Sequence, residues 1–382
     1  MVIIKDHFLE NLTEYVPSRL NAPKDKSELV LKGKNIIKLS NNENPLGSSP
    51  KAAKAIQDYL NQEAKSQNTF SVYPDQYSTA LILALKKKHK EIGSAEVIIG
   101  NGLNSIIETI TRLFLRPGDK ALLHIPTYQY FEVAVNSAYG ETVFVQTNAS
   151  NGFTLDVDEF IAQITKEVKL IFLCNPNNPT GNIMSCEQIE KVIKAAQEVG
   201  AFVYLDETYI EFASEASTYI GKVKEHHNLI VGRTFSKAYG LASLRVGWAV
   251  IPKEILHYFR KIQVPFPVSI LSIIGAEAAL TDEDFIKETV ENNRKGHLYY
   301  STELFKLGVK SISSHSNFFC IFAGEKFHFK ATELCAYLLQ NGVVIRNVSS
   351  FRAAPIEMAR ITIGKPENNE RLLQILSEKI RG

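Results

Sequence analysis

The stretch NLIVGRTFSKAYG, residues 228–240, decides how the chain is read. Leu229, Ile230 and Val231 form an apolar run without polar alternation, the pattern of a strand buried on both faces. The run then gives way to Gly232, Arg233, Thr234, Phe235, Ser236 and Lys237, so that two hydroxyls and one lysine gather where a strand ends. A polar turn would account for each of these residues singly. Reading outward from the stretch shows that it is one of a series.

Four upstream runs share its character: EVIIG (96–100), KALLHI (120–125), KLIFLC (169–174) and AFVYLD (201–206). Helical periodicity fills the gaps between them. Ile106, Ile107, Ile110, Leu113 and Phe114 fall on one face. Residues 155–164 read as a helix with Asp156 and Glu159 at capping-box spacing, and Ser185 and Gln188 repeat that spacing before a second apolar stripe, which Gly200 stops. Unalternating strands interleaved with helices predict an α/β fold, a mostly parallel sheet sandwiched by helices. After about residue 265 the pattern changes. Long helical segments lead to VKSISS (309–314), FFCIFAG (318–324), GVVIRNV (342–348) and ARITIG (359–364), strands of a smaller α+β domain. A chain of 382 residues outgrows one hydrophobic core. The expected plan is an N-terminal arm (1–30), a large domain (31–265) and a small C-terminal domain (266–382).

Bulk properties narrow the function. A net charge of +2 gives no electrostatic reason to expect nucleic acid or an anionic membrane as partner. Cys174, Cys186, Cys320 and Cys335 lie far apart without CxxC spacing, as expected of reduced thiols in a cytoplasmic protein. Residues 1–15 carry acidic side chains and no long apolar run, unlike a secretory signal. The most apolar stretch, VPFPVSILSIIGAEAAL (264–280), holds two prolines and Glu277, so no membrane span is expected. His226 and His227 have no partners at metal-ligand spacing, and no metal site is expected.

In open parallel sheets, ligands bind beyond the carboxyl ends of the strands. The residues that follow each run are therefore informative. They are Gly100-Asn101-Gly102-Leu103-Asn104, then Pro126-Thr127-Tyr128, then NPNNPTG (175–181), then Asp206-Glu207-Thr208-Tyr209, then Thr234 to Lys237 with Arg245 eight residues on. A helix start, hydroxyls and Arg245 suit a phosphate dianion. An aspartate suits a protonated ring nitrogen, a tyrosine face suits a flat ring, and a lysine suits an aldehyde. Pyridoxal 5'-phosphate unites all these parts. Singly the items mean less. GNGLNS opens like a dinucleotide fingerprint but has Ser105 where a third glycine belongs, Tyr128 could be a packed aromatic, and Asp206 could be a helix cap.

The motifs NLTEYVPSRL (11–20), LSNNENPLG (39–47), VYPD (72–75), PTYQYF (126–131), NPNNPTG (175–181), DETYIEF (206–212), RTFSKAYGLASLRVGW (233–248), VIRNVSS (344–350) and ARITIGKPENNERLL (359–373) run nearly end to end. With them the chain resembles the fold-type I pyridoxal-phosphate aminotransferases, and within that family the histidinol-phosphate branch. The resemblance implies that Lys237 carries the cofactor, that Asp206 pairs with the pyridine nitrogen, and that Tyr209 and Asn178 bond the phenolic oxygen. Tyr128 would stack on the ring. Thr234, Ser236 and Arg245, with the Leu103 and Asn104 amides, would bind the phosphate. Tyr73 would reach the cofactor of a neighbouring subunit, implying a homodimer with shared sites. Arg360, with Arg346 and Tyr15 nearby, would bind the anionic substrate. The expected chemistry is ping-pong transamination between histidinol phosphate and 2-oxoglutarate in histidine biosynthesis. An aromatic or other amino-acid aminotransferase and a threonine-phosphate decarboxylase share these motifs. A cofactor-sensing regulator would need a DNA-binding domain before residue 30. Two departures stand out. Leu103-Asn104-Ser105 replaces the family's usual Ser-Asp-Glu run, and Thr208 replaces a common alanine.

Overall fold

The computed structural model describes residues 36–63, 70–213, 218–324 and 330–381. Its centre is a seven-stranded sheet of β2 (Glu96–Asn101), β3 (Lys120–Ile125), β4 (Glu141–Gln146), β5 (Val168–Cys174), β6 (Phe202–Asp206), β7 (Leu229–Thr234) and β8 (Val246–Ile251). The spatial order is β2-β8-β7-β6-β5-β3-β4. β8 pairs antiparallel with both β7 and β2, and the remaining pairs are parallel. All residues of β7 and β8 are buried, as their continuous apolar character requires. One apolar core lies on each face of the sheet, built around Val203, Leu205 and Val231 on one side and Phe172, Tyr204 and Ile230 on the other.

β4 and β8 escape the sequence reading for different reasons. β4 is an edge strand that mixes polar with apolar residues. β8 is hidden because it follows β7 across a short loop instead of a crossover helix. The full capping box forms at Ser185–Gln188. At the other predicted box, Asp156 accepts from the amides of Asp158 and Glu159. In VKSISS only Ser311 joins a bridge, to Ile321.

The smaller unit has its own core around Ile321, Leu338, Ile361 and Leu372. Its three-stranded antiparallel sheet consists of β11 (Arg346–Asn347), β12 (Met358–Thr362) and β9 (Phe318–Phe322). Separately, β1 (Ile37–Lys38) pairs in parallel with β10 (Val343–Val344), and Leu39 joins the smaller core. Beyond residue 265, the helix Ile270–Leu280 packs Ile273, Ala276, Ala279 and Leu280 into the large core. Residues 1–30, expected to form an arm, lie outside the described residues.

The reversed β8 explains how the site is assembled. Parallel strands carry their carboxyl ends to one edge of the sheet. A strand running the other way begins at that edge, so the whole connection 235–245 stays there. Two glycines permit the close packing this requires. A Cβ at Gly247 would lie 2.4 Å from the Leu103 nitrogen, and one at Gly102, where φ is +70°, would lie 2.3 Å from the Arg245 guanidinium.

Candidate active site

A cavity of about 340 Å³ opens at this edge, within the size range of small-molecule sites. Its walls include Leu103, Asn104, Tyr128, Asn178, Asp206, Tyr209, Thr234, Ser236, Lys237 and Arg245 from the large unit, and Arg346 and Arg360 from the strands of the small one. Every predicted site residue is thus brought together except two. Tyr73 is exposed away from the cavity, with its ring stacked 4.5 Å from Phe266. Tyr15 lies outside the described residues.

Lys237 faces the cavity, and its Nζ donates to the Asn41 carbonyl at 3.0 Å. Burial and the Arg360 guanidinium, with a smaller effect from Arg245, pull its ammonium down to about 7, against the opposing carboxylates of Glu43 and Asp206. Asp206 closes β6 and is 3% exposed. Its Oδ1 accepts from the Thr208 amide at 2.9 Å. Burial pushes its carboxyl up to about 6 even so. A buried carboxylate raised in this way favours a cationic partner.

The phosphate-like corner is organised by hydroxyls. Thr234 Oγ1 donates to Ser236 Oγ at 2.9 Å and accepts from the Ser236 amide at 3.1 Å. Arg245 Nη1 stands 3.5 Å from Ser236 Oγ. The helix Gly102–Phe114 starts beside them; the Gly102 amide donates to the Arg245 carbonyl at 2.8 Å, and the Leu103 and Asn104 amides follow in the first turn, where a helix supplies no partner of its own. The Leu103-Asn104-Ser105 departure has a structural account here. Leu103 packs into the core, the Asn104 side chain accepts from the Tyr128 hydroxyl at 3.1 Å, and Ser105 Oγ bonds the Gly102 carbonyl.

The opposite wall is basic. Arg346 and Arg360 are cross-strand partners on β11 and β12. Arg360 bonds Asn178 Oδ1 and donates to the Ser40 carbonyl at 3.0 Å, while its Nε is buried without a partner. Among the described residues no carboxylate pairs with Arg360. An orphaned buried guanidinium nitrogen calls for an anion.

The LSNNENPLG segment, quoted as a motif but given no role, proves to line the site through Asn41, Asn42 and Glu43. Asn42 Nδ2 donates to the Tyr209 hydroxyl at 2.9 Å, and its backbone is tied to Thr362 and Asn317 of the smaller unit. Cys174, Thr208, Ala242 and Phe351 also line the cavity. Nothing in the sequence marks Phe351, because it comes from a loop. The loop NPNNPTG is pinned by Asn177, which accepts from Thr127 and donates to Thr180 and the Pro126 carbonyl.

The depressed ammonium has a consequence for stability. The unfolded chain releases the Lys237 proton near 10.5 and the folded one near 7. Between those values the unfolded state binds more protons, so the cofactor-free protein gains stability from this group as pH rises. Lys237→Met is expected to be most stabilising at pH 7 and below, with the difference from wild type shrinking toward pH 10. Urea midpoints at three pH values measure this, and a difference independent of pH would refute it.

The residues fit pyridoxal phosphate: a hydroxyl-lined corner at a helix start, a buried carboxylate, an amine and a basic far wall share one cavity. Comparison with known proteins agrees. The family model "Aminotransferase class I and II" matches residues 34–376. A histidinol-phosphate aminotransferase from Methanococcoides burtonii is 34% identical over 377 residues, covering 98% of each chain. One from Methanocaldococcus jannaschii is 35% identical over 379 residues, covering 97% of this chain and 96% of that protein. Among solved structures, the histidinol-phosphate aminotransferase of Sinorhizobium meliloti in complex with pyridoxal-5'-phosphate superposes with a TM-score of 0.84 at 24% identity, covering 100% of this chain and 98% of that one.

Proposed function

The chain belongs to the class I and II aminotransferases, and from that premise we propose that it moves the amino group of histidinol phosphate to 2-oxoglutarate in histidine biosynthesis. The observation that carries this reading is one cavity in which Lys237 and Asp206 from the large unit face Arg346 and Arg360 from the small one.

In this reading Thr234, Ser236, Arg245 and the Leu103 and Asn104 amides hold the phosphate of pyridoxal phosphate, Tyr128 packs its ring, and Tyr209 and Asn178 bond its phenolic oxygen. When bound, the cofactor supplies an aldehyde for the donor's nitrogen and a ring that takes up electrons from the donor's α carbon. Asp206 holds a proton at the ring nitrogen. Lys237, neutral for much of the time near pH 7, removes the proton from the donor's α carbon and returns it on the other side of the transfer. Arg360 and Arg346 grip the donor's phosphate and then the acceptor's carboxylate, since guanidinium forks suit both, and Tyr15 is proposed as a further substrate-binding residue. The amino group stays with the enzyme while the donor departs as its carbonyl product before the second substrate binds, hence ping-pong kinetics.

The enzyme is proposed to be a cytoplasmic homodimer in which Tyr73 reaches a neighbour's site, with a small domain that begins after the helix Ile270–Leu280. Arg360→Ala is expected to raise the donor's KM by about 30-fold, the effect of losing about 2 kcal/mol from a buried charged contact, while absorbance shows the cofactor still bound. Loss of the cofactor with the donor KM unchanged would reverse the assignment. The donor itself is tested by adding histidinol phosphate, phenylalanine or threonine phosphate separately to the holoenzyme. Histidinol phosphate should discharge the visible absorbance at the lowest concentration. Preference for phenylalanine would indicate an aromatic aminotransferase, and carbon dioxide release from threonine phosphate a decarboxylase.

A further inference from the structure

The segment 348–354 reaches from the smaller unit to the larger one beside the cavity. Arg352 forks onto Glu132: its Nε lies 3.1 Å from Oε2, and its Nη2 bonds Oε1. The same guanidinium sits 4.6 Å over the Phe144 ring. Two residues back, the Ser350 carbonyl accepts from Gln129 Nε2 at 2.6 Å. Gln129 follows Tyr128 directly, and Glu132 lies in the helix Tyr130–Ser137 that comes next. Two polar ties thus bind this loop to the element that carries the tyrosine of the cavity wall.

Phe351 stands between the ties. It is 5% exposed and lines the cavity, with the Arg346 guanidinium 5.6 Å from its ring. Behind it lies a small apolar cluster of Phe153 with Ile312, Phe322, Val348 and Met358. It is therefore an aromatic wall on the arginine side of the cavity, away from the large-sheet edge that holds Asp206, Thr234 and Lys237. A wall of that kind beside two arginines suits a donor joining an anionic end to a flat unsaturated ring. It offers little to an aliphatic dicarboxylate.

We propose that Phe351 is a specificity-determining residue that packs against the side-chain ring of the amino donor, and that the Arg352–Glu132 pair is its positioning clasp. The inference rests on the aminotransferase reading of the cavity. The plainer alternative is a packed phenylalanine next to a half-exposed ion pair of little consequence. The forked geometry between residues 220 positions apart and the second tie at Ser350 argue against it.

The experiment measures, on the holoenzyme, the ratio of KM for histidinol phosphate to KM for glutamate. Phe351→Ala should raise the ratio about tenfold, the scale of lost apolar contact in a pocket, and Phe351→Tyr should restore it. Arg352→Ala and Glu132→Gln should each raise it by a smaller factor, and the double variant should go no further than either single one. Amide hydrogen exchange of 348–354 should quicken in all three clasp variants. A ratio within twofold of wild type in Phe351→Ala overturns the proposal, as do clasp effects that multiply in the double variant. Failure of the functional reading looks different, because the unmodified enzyme would not turn over histidinol phosphate. The same ratios are then read with phenylalanine, another ring-bearing donor, and an enzyme that uses neither overturns the proposal.

Discussion

Lys237→Ala is expected to lower kcat by about 10²- to 10⁴-fold, the usual worth of a positioned general base. The expectation follows from location and charge together. The lysine sits in a connection that never leaves the ligand-binding edge, and its amine is drawn down to about 7 by burial and Arg360. Lys237→Arg should fail as badly, since a guanidinium stays protonated and cannot take the α proton. Positive charge alone is then not what the site requires. Borohydride treatment of the wild-type enzyme with pyridoxal phosphate should leave the added mass on the peptide containing Lys237. Mass on another lysine, or turnover near wild type in either variant, would end the functional reading.

Asp206→Asn is expected to lower kcat by about 10²- to 10³-fold, the scale for removing one preorganised electrostatic group. The amide keeps the shape of the carboxyl but cannot hold a proton at the ring nitrogen. The pH profile gives a second check. Burial holds the Asp206 carboxyl at about 6 in the protein without ligand. An acidic form is useless here, so cofactor affinity should fall as pH drops through that region. A cation bound opposite the carboxylate lowers its pKa in the complex, so the fall begins near 6 and levels off at lower pH. The Asn variant should lack this acid limb, and an unchanged limb would assign it to another group.

Much of the large unit is legible in the chain because strands buried on both faces have no need to alternate. Lys237, Asp206 and Asn178 are legible for a related reason, since each follows such a run directly. Legibility ends where position depends on partners distant in sequence. β8 reads as part of a motif because its pairing with β2 joins residues from Glu96↔Ile251 to Asn101↔Val246, far apart in the chain. Asn42 meets Tyr209 across 167 positions, a contact that local pattern cannot encode. The helix Ile270–Leu280 belongs by packing with residues more than two hundred positions earlier, although composition changes before it begins. Arg346 and Arg360 become neighbours only through their register on β11 and β12. Phe351 belongs to no periodic element at all.

The reversed strand has one more effect. Because the chain leaves β7 and re-enters β8 at the same rim, the spacing between Lys237 and Arg245 is set by the sheet, with little freedom left to the loop. The groups proposed to choose a substrate come from the separate, smaller unit: Arg346 and Arg360 from its sheet and Phe351 from the loop between their strands. On that proposal a descendant of this enzyme could change its diet by altering the smaller unit alone, while inheriting its reaction unaltered from the larger one.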